Sequence, residues 1–270
     1  MRDTSQPLPF LRAARAVFDL SLESMIWSRR SLLMALLVGL PVVLAVAYRV
    51  ILAADLPTRA VPPLDLYAIV VAVFWIRNVL PLMALFHATS LVADEVEGRT
   101  LTYLLTRPLT RPAIFAGKFA AYLATSLGIA LPSAVLTFFL LVTARGWSGV
   151  GASVPDLFRD LGVMALALLA YGALFALLGV VLRRPVIPGL LFLFGWEFLV
   201  AKLPGYMPRF TLTAWLRSLI HHRPPEEGLF GLFGQVQPAG LSLVVLLVAT
   251  LLFLTAAAWL FSEREYVLEQ

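Results

Sequence analysis

Two sets of charged side chains stand out against an otherwise apolar chain. The first is a run containing Asp94, Glu95, Glu97, Arg99, Arg107, Arg111 and Lys118, interleaved with Leu101, Leu104 and Leu105 and punctuated by Pro108 and Pro112. The second is a pair of isolated groups, Arg77 and Glu197, each set inside long apolar sequence. In the run, carboxylates at the start of a short helix suit its dipole, and the prolines stop it. The leucines recur at helical spacing and give that helix one apolar face. Such a face fits a groove on a protein partner, with Arg99, Arg107 and Arg111 as rim contacts. The alternative is a solvated loop that only orients the chain by its charge. The isolated pair implies a different chemistry, because ionisable groups in membrane-embedded sequence mark paths or pairings by default.

Several chemistries are excluded. The chain has no cysteine, so disulfides, thiolate metal sites and cysteine nucleophiles do not arise. Gly117-Lys118 is followed by Phe119 and preceded by Pro112 where a phosphate-binding loop requires its first glycine. Any ATP and magnesium used with this chain are therefore expected on a separate protein, and no cofactor and no enzymatic activity are expected in the chain itself. His221 and His222 are adjacent and do not share a helix face, and no third ligand is evident, so no metal site is expected.

The elements that must position these groups are membrane spans. Mean hydropathy is +0.89 and 14% of the 270 residues are charged, well below the roughly 25% of soluble domains. Runs of the ~20 residues needed to cross hydrocarbon occur at 31–54, 66–93, 113–142, 161–182, 186–203 and 239–261. The expected fold is an all-α polytopic membrane protein with six transmembrane helices. Six spans place both termini on one side. That side carries twelve basic residues against seven on the other, with Arg49 and Arg77 inside spans, and the positive-inside rule makes it the cytoplasm. Lipid, not nucleic acid, is thus the expected surroundings of a basic chain of net charge +5. A cleaved leader is rejected, since the apolar run continues past Ala45-Val46-Ala47 and cleavage would remove a span.

Before the first span, Leu11, Ala14, Phe18, Leu22 and Met25 step by three and four residues opposite Arg12, Arg15, Asp19 and Glu23. This predicts an amphipathic interfacial helix within residues 1–30, its depth set by Trp27. The segment 204–238 contains Leu212, Trp215, Leu216 and Leu219 at helical spacing, which predicts a short helix against the outer surface. At about 1.5 Å per residue, Arg77 lies ~25 Å from Asp94 and Glu197 ~20 Å from Arg184, so the two are expected to face each other. Trp75, Phe74, Trp196 and Phe198 flank them and serve either packing or the stacking of an apolar substrate.

Glu95, Gly98, Thr100, Leu101, Leu104, Leu105, Pro108 and Arg111, followed by Gly117-Lys118 at the start of the third span, resemble the signature of ABC-2 type transporter permeases. Arg99 departs from the pattern by separating Gly98 from Thr100. The resemblance covers essentially the whole chain as one membrane domain. It implies the permease subunit of an ATP-binding cassette transporter, an exporter, that pairs with a second identical or similar copy in the cytoplasmic (inner) membrane. A separate cytoplasmic ATPase would dock on a coupling helix between helices 2 and 3, within 94–112. The implied docking residues are Glu95, Glu97, Gly98, Arg99, Thr100, Leu101, Leu104, Leu105, Arg107, Pro108 and Arg111, and Arg77 and Glu197 fall to the central path. Some relatives instead pass ATP-driven motion to an outer-face partner during metalloenzyme maturation. A secondary transporter is disfavoured because no inverted repeat is visible.

Overall fold

Apolar runs without alternation become helices here because lipid leaves every backbone N–H and C=O to be satisfied within its own segment. A computed structural model describes residues 9–54, 61–91, 110–147, 150–201, 203, 206–220 and 237–263, and among these every regular element is helical. In chain order they are α1 (Phe10–Ile26), α2 (Arg29–Ala53), α3 (Pro63–Ala88), α4 (Arg111–Val142), α5 (Val150–Val181), α6 (Val186–Val200), α7 (Leu212–Leu219) and α8 (Ala239–Glu263).

Five of them, α2, α3, α4, α5 and α8, are long and apolar enough to cross a membrane. The fifth apolar run of the sequence instead gives the shorter α6. Its length of ~22 Å, at about 1.5 Å per residue, falls short of the ~30 Å hydrocarbon core. The six expected crossings therefore appear as five full-length helices and one partial one among the described residues.

Burial is greatest on α3 and α5, while α2 and α8 turn most of their surface outward. Helices in lipid gain nothing from hydrophobicity alone, so small residues and interhelical hydrogen bonds hold them. Gly172 of α5 lies directly against the Tyr122 ring of α4, and the Tyr122 hydroxyl donates to the Leu168 carbonyl at 2.7 Å. Ser133 of α4 donates to the Val38 carbonyl of α2 at 2.6 Å. The Tyr67 and Phe138 rings meet edge to face at 5.1 Å.

The N-terminal helix forms, and of its expected apolar stripe Ala14, Phe18, Leu22 and Met25 are partly buried beside a fully buried pair. Ala13 and Val17 point inward, and Leu11 is 78% exposed. The reason lies on α4. A Cβ at Gly117 would strike the Ala14 carbonyl oxygen and come within 3.0 Å of the Val17 Cβ. So close an approach admits only small side chains, and Phe10, Leu11 and Leu20 are left facing away.

Replacing Gly117 with Val is expected to prise α1 from α4 and lower stability by about 1–3 kcal/mol, the usual range for overpacking. Thermal unfolding in detergent would read this. Gly128→Val on the same helix, where a Cβ meets nothing within 4 Å, should leave the midpoint unchanged.

Candidate functional site

The residues Glu95, Glu97, Gly98, Arg99, Thr100, Leu101, Leu104, Leu105, Arg107 and Pro108 lie outside the described residues, as does His221-His222. The helix ends on either side of that run are described, and they are tightly held. Leaving α3, the Leu91 carbonyl accepts from the buried Lys118 Nζ of α4 at 2.8 Å. His87 is buried two turns from the start of the coupling run, with Nδ1 3.1 Å from the Met83 carbonyl and Nε2 3.0 Å from Ser31 Oγ. Ser31 in turn donates to the Met25 carbonyl at 2.5 Å, so the elbow between α1 and α2 is tied to the end of α3. On the opposite side, a Cβ at Gly179 of α5 would sit 2.9 Å from the Thr89 carbonyl oxygen. On the return, Arg111 donates to the Ser262 carbonyl at 2.7 Å. A cation there also suits the negative end of the α8 dipole. Arg111, expected at the rim of a docked partner, is thus engaged with α8.

The second feature lies deeper. Counted from the Thr89–Gly179 contact at about 1.5 Å per residue, Arg77 is ~18 Å along α3 and Tyr171 ~12 Å along α5. Both are near the middle of a ~30 Å core. Arg77, Asn78, Leu193, Glu197, Thr213 and Arg217 line a cavity of about 30 Å³ between α3, α6 and α7. This is room for about two water molecules.

Both helices are widened where they border it. Residues Val70–Val79 of α3 and Phe192–Glu197 of α6 are π-helical, a local geometry that recurs at functional sites. Arg77 and Glu197 each sit within these stretches. Pro81, four residues beyond Arg77, has no N–H to return to its carbonyl, and such a loss favours a change of helical register.

Glu197 and Arg77 meet around this one cavity, and each has other contacts. One Glu197 carboxylate oxygen accepts the Leu212 N–H at 2.8 Å and the other accepts the Thr213 N–H at 3.1 Å. The Thr211 hydroxyl accepts the Ala214 N–H at 3.3 Å. The first three amides of α7 are therefore satisfied, two by a carboxylate that also suits the positive helix end. The Tyr171 hydroxyl lies 2.8 Å from Thr213 Oγ1, close to the Glu197 carboxylate. The Arg77 guanidinium stands over the Phe198 ring, 4.7 Å from its centre.

These anchors change the expected place of α7. Its sequence pattern reads as a helix on the outer surface, whereas Thr213, Trp215, Leu216 and Ser218 are buried. Its N-terminus reaches the depth of Tyr171, and its other end stays near the start of α8, where the Gln237 N–H donates to Ser218 Oγ at 3.0 Å.

Of the flanking aromatics, Trp75 is fully buried and Phe74 packs edge to face on it. Trp196 is half exposed, its indole N–H donating to the Phe210 carbonyl at 3.2 Å. Asp160 is a buried ionisable residue that the sequence reading misses. The run taken from Leu161 leaves it outside a span, but α5 begins at Val150 and encloses it near Tyr67. Lys118, expected at the start of the third span, stands five residues past the beginning of the apolar run 113–142, and that position is the signal that it is buried. Among the described residues no cluster of His, Asp or Glu could hold a metal.

A family model described as ABC-2 family transporter protein matches residues 20–198, about two thirds of the chain and all of α2 to α5. The chain belongs to the ABC-2 transporter family. No curated protein matches it. It is accordingly a multi-pass membrane protein of a transporter family, and the clamped helix ends and the mid-depth cavity are features of an ABC-2 membrane subunit.

Proposed function

We propose that this chain is the permease subunit of an ATP-driven exporter, paired with a second identical or similar copy and driven by a separate cytoplasmic ATPase. Both termini are cytoplasmic and the protein sits in the inner membrane, with α6 and the chain that follows it making the sixth crossing. The ATPase docks on 94–112 through the face formed by Leu101, Leu104 and Leu105, with Glu95, Glu97, Arg99 and Arg107 around it. ATP and magnesium belong to that partner.

One observation carries the reading: the ends flanking 92–109 are fastened to each other and to three further helices. A push on that segment reaches α5 through Thr89 and Gly179, α2 through His87 and Ser31, α4 through Leu91 and Lys118, and α8 through Arg111 and Ser262. A rigid junction of this kind converts closure of the ATPases into a change of access around Arg77 and Glu197. The switch is driven by the difference in ATPase binding to the two conformations.

Affinity purification in mild detergent tests this. The expected product is a complex containing an ATP-binding cassette ATPase, whose hydrolysis rate depends on the permease. A chain that purifies alone and transports without any ATPase would overturn it. A complex whose ATPase works without solute movement while an outer-face protein remains bound would favour the motion-transmitting relatives.

A further inference from the structure

From Asp65 to Ala88, every residue of α3 is buried or half-buried except Asn78, which is exposed. The exception is polar. At about 1.5 Å per residue it lies ~17 Å along α3 from Thr89, within the central part of a ~30 Å hydrocarbon core. Its Nδ2 donates to the Val73 carbonyl, five residues back in the π-helical stretch, at 2.6 Å. An asparagine amide also carries a second N–H and an oxygen with two lone pairs, and among the described residues these make no hydrogen bond. In hydrocarbon an amide left in that state is costly.

The surface beside Asn78 belongs to α6. Phe194 and Phe198 border the same recess and are exposed. Ile187 and Leu191 are exposed on the same helix, so four large side chains follow at four, three and four residues, the repeat of a helix seam. Lipid tails would cover that stripe as well as a protein does, but they offer nothing to Asn78. Thr255 of α8 marks the difference: it is also exposed and polar, yet its hydroxyl donates to the Leu251 carbonyl of its own helix at 2.8 Å and asks for no partner.

We propose that a second copy of this chain packs on this face, with the Asn78 amides of the two copies hydrogen-bonded to each other across a twofold axis and the α6 stripe closing around them. An isologous contact sets residues near the axis against their own copies. A charged side chain there would repel its copy, whereas a carboxamide is complementary to itself, since the N–H of each donates to the oxygen of the other. Polar side chains join helices across lipid-embedded interfaces in this way, and one such residue also fixes their register. The proposal rests on the pairing of two copies given under Proposed function and supplies its face and its central contact. The test reads the two separately.

The chain has no cysteine, so Asn78→Cys places a single thiol at the proposed axis. Mild oxidation of membranes from cells making the full complex is expected to give a disulfide-linked product of twice the chain mass, and Thr255→Cys treated alike is expected to give none. In the full chain purified in mild detergent, Asn78→Leu should raise the dimer dissociation constant about tenfold, the size of two interhelical hydrogen bonds. Asn78→Gln keeps the amide and should restore most of the affinity, which separates loss of the contact from loss of the fold. A dimer unchanged by Asn78→Leu, with no disulfide from Asn78→Cys, would overturn this face and leave the pairing standing. Fast labelling of Asn78→Cys by a water-soluble thiol reagent, again with no disulfide, would overturn it in favour of a water-filled path beside Asn78. A wild-type chain that is monomeric in membranes would overturn both the face and the pairing.

Discussion

Replacing Glu197 with Ala is expected to lower the stability of the detergent-solubilised protein by about 2–4 kcal/mol, because one buried and one partly buried amide donor lose their acceptor at once. The donors are the N–H groups of Leu212 and Thr213. Water is not freely available to replace the carboxylate at that depth, and the capping hydroxyl of Thr211 serves only Ala214. With its N-terminus unsatisfied, α7 should leave its seat beside Tyr171, taking Arg217 away from the cavity. Glu197→Gln keeps one acceptor oxygen but turns an NH2 toward the second amide, so about half of the loss is expected. Thermal unfolding of the two variants gives the ranking, with Ala below Gln and Gln below wild type. Identical midpoints for all three would show that α7 is held by packing alone.

The second large effect is expected at Gly179. A Val there would place its Cβ 2.9 Å from the Thr89 carbonyl oxygen and 3.2 Å from the Thr89 Cα. These are backbone atoms and cannot swing aside as the end of a side chain would. The end of α3 must shift away from α5, and the bond from Lys118 to the Leu91 carbonyl must stretch or break. The variant should still insert and still retain its ATPase, since its docking surface lies elsewhere. Its stimulation of ATP hydrolysis is expected to fall at least tenfold, roughly the 1.4 kcal/mol that a misplaced junction readily removes. Gly162→Val on the same helix provides the comparison, because a Cβ there meets nothing within 4 Å. If Gly179→Val stimulates the ATPase as the wild type does, force does not pass through this contact.

Hydropathy made the spans legible because a helix in lipid must be apolar over most of its length, whatever it packs against. It was less informative about α6, where 15 residues of apolar sequence do not reveal that the chain after it folds back to start α7 beside Glu197. That turn depends on Glu197 finding the amides of a helix 15 residues away, a contact no local pattern encodes. The charge pair was legible in part: equal depth brought Arg77 and Glu197 to one cavity, but neither the Phe198 ring under Arg77 nor the approach of Arg217 follows from spacing. On α1, the hydrophobic stripe predicted an interfacial helix and said nothing of which residues meet the rest of the protein. The partner surface, with Gly117 at its centre, selected Ala13 and Val17. Lys118 and Asp160 escaped notice because they stand near the ends of apolar runs, where a charge reads as a boundary. Helices longer than the bilayer requires bury them.

Everything proposed about mechanism requires an ATPase to grip the segment after α3 from the cytoplasm. The chain has no cysteine of its own, so Leu104→Cys supplies a single thiol at the centre of the apolar face. A photoactivatable crosslinker attached there, in membranes from cells making the full complex, should capture an ATP-binding cassette protein and should resist labelling by an impermeant thiol reagent added outside. Capture of no ATPase, with the thiol labelled readily from the outer side, would contradict the account.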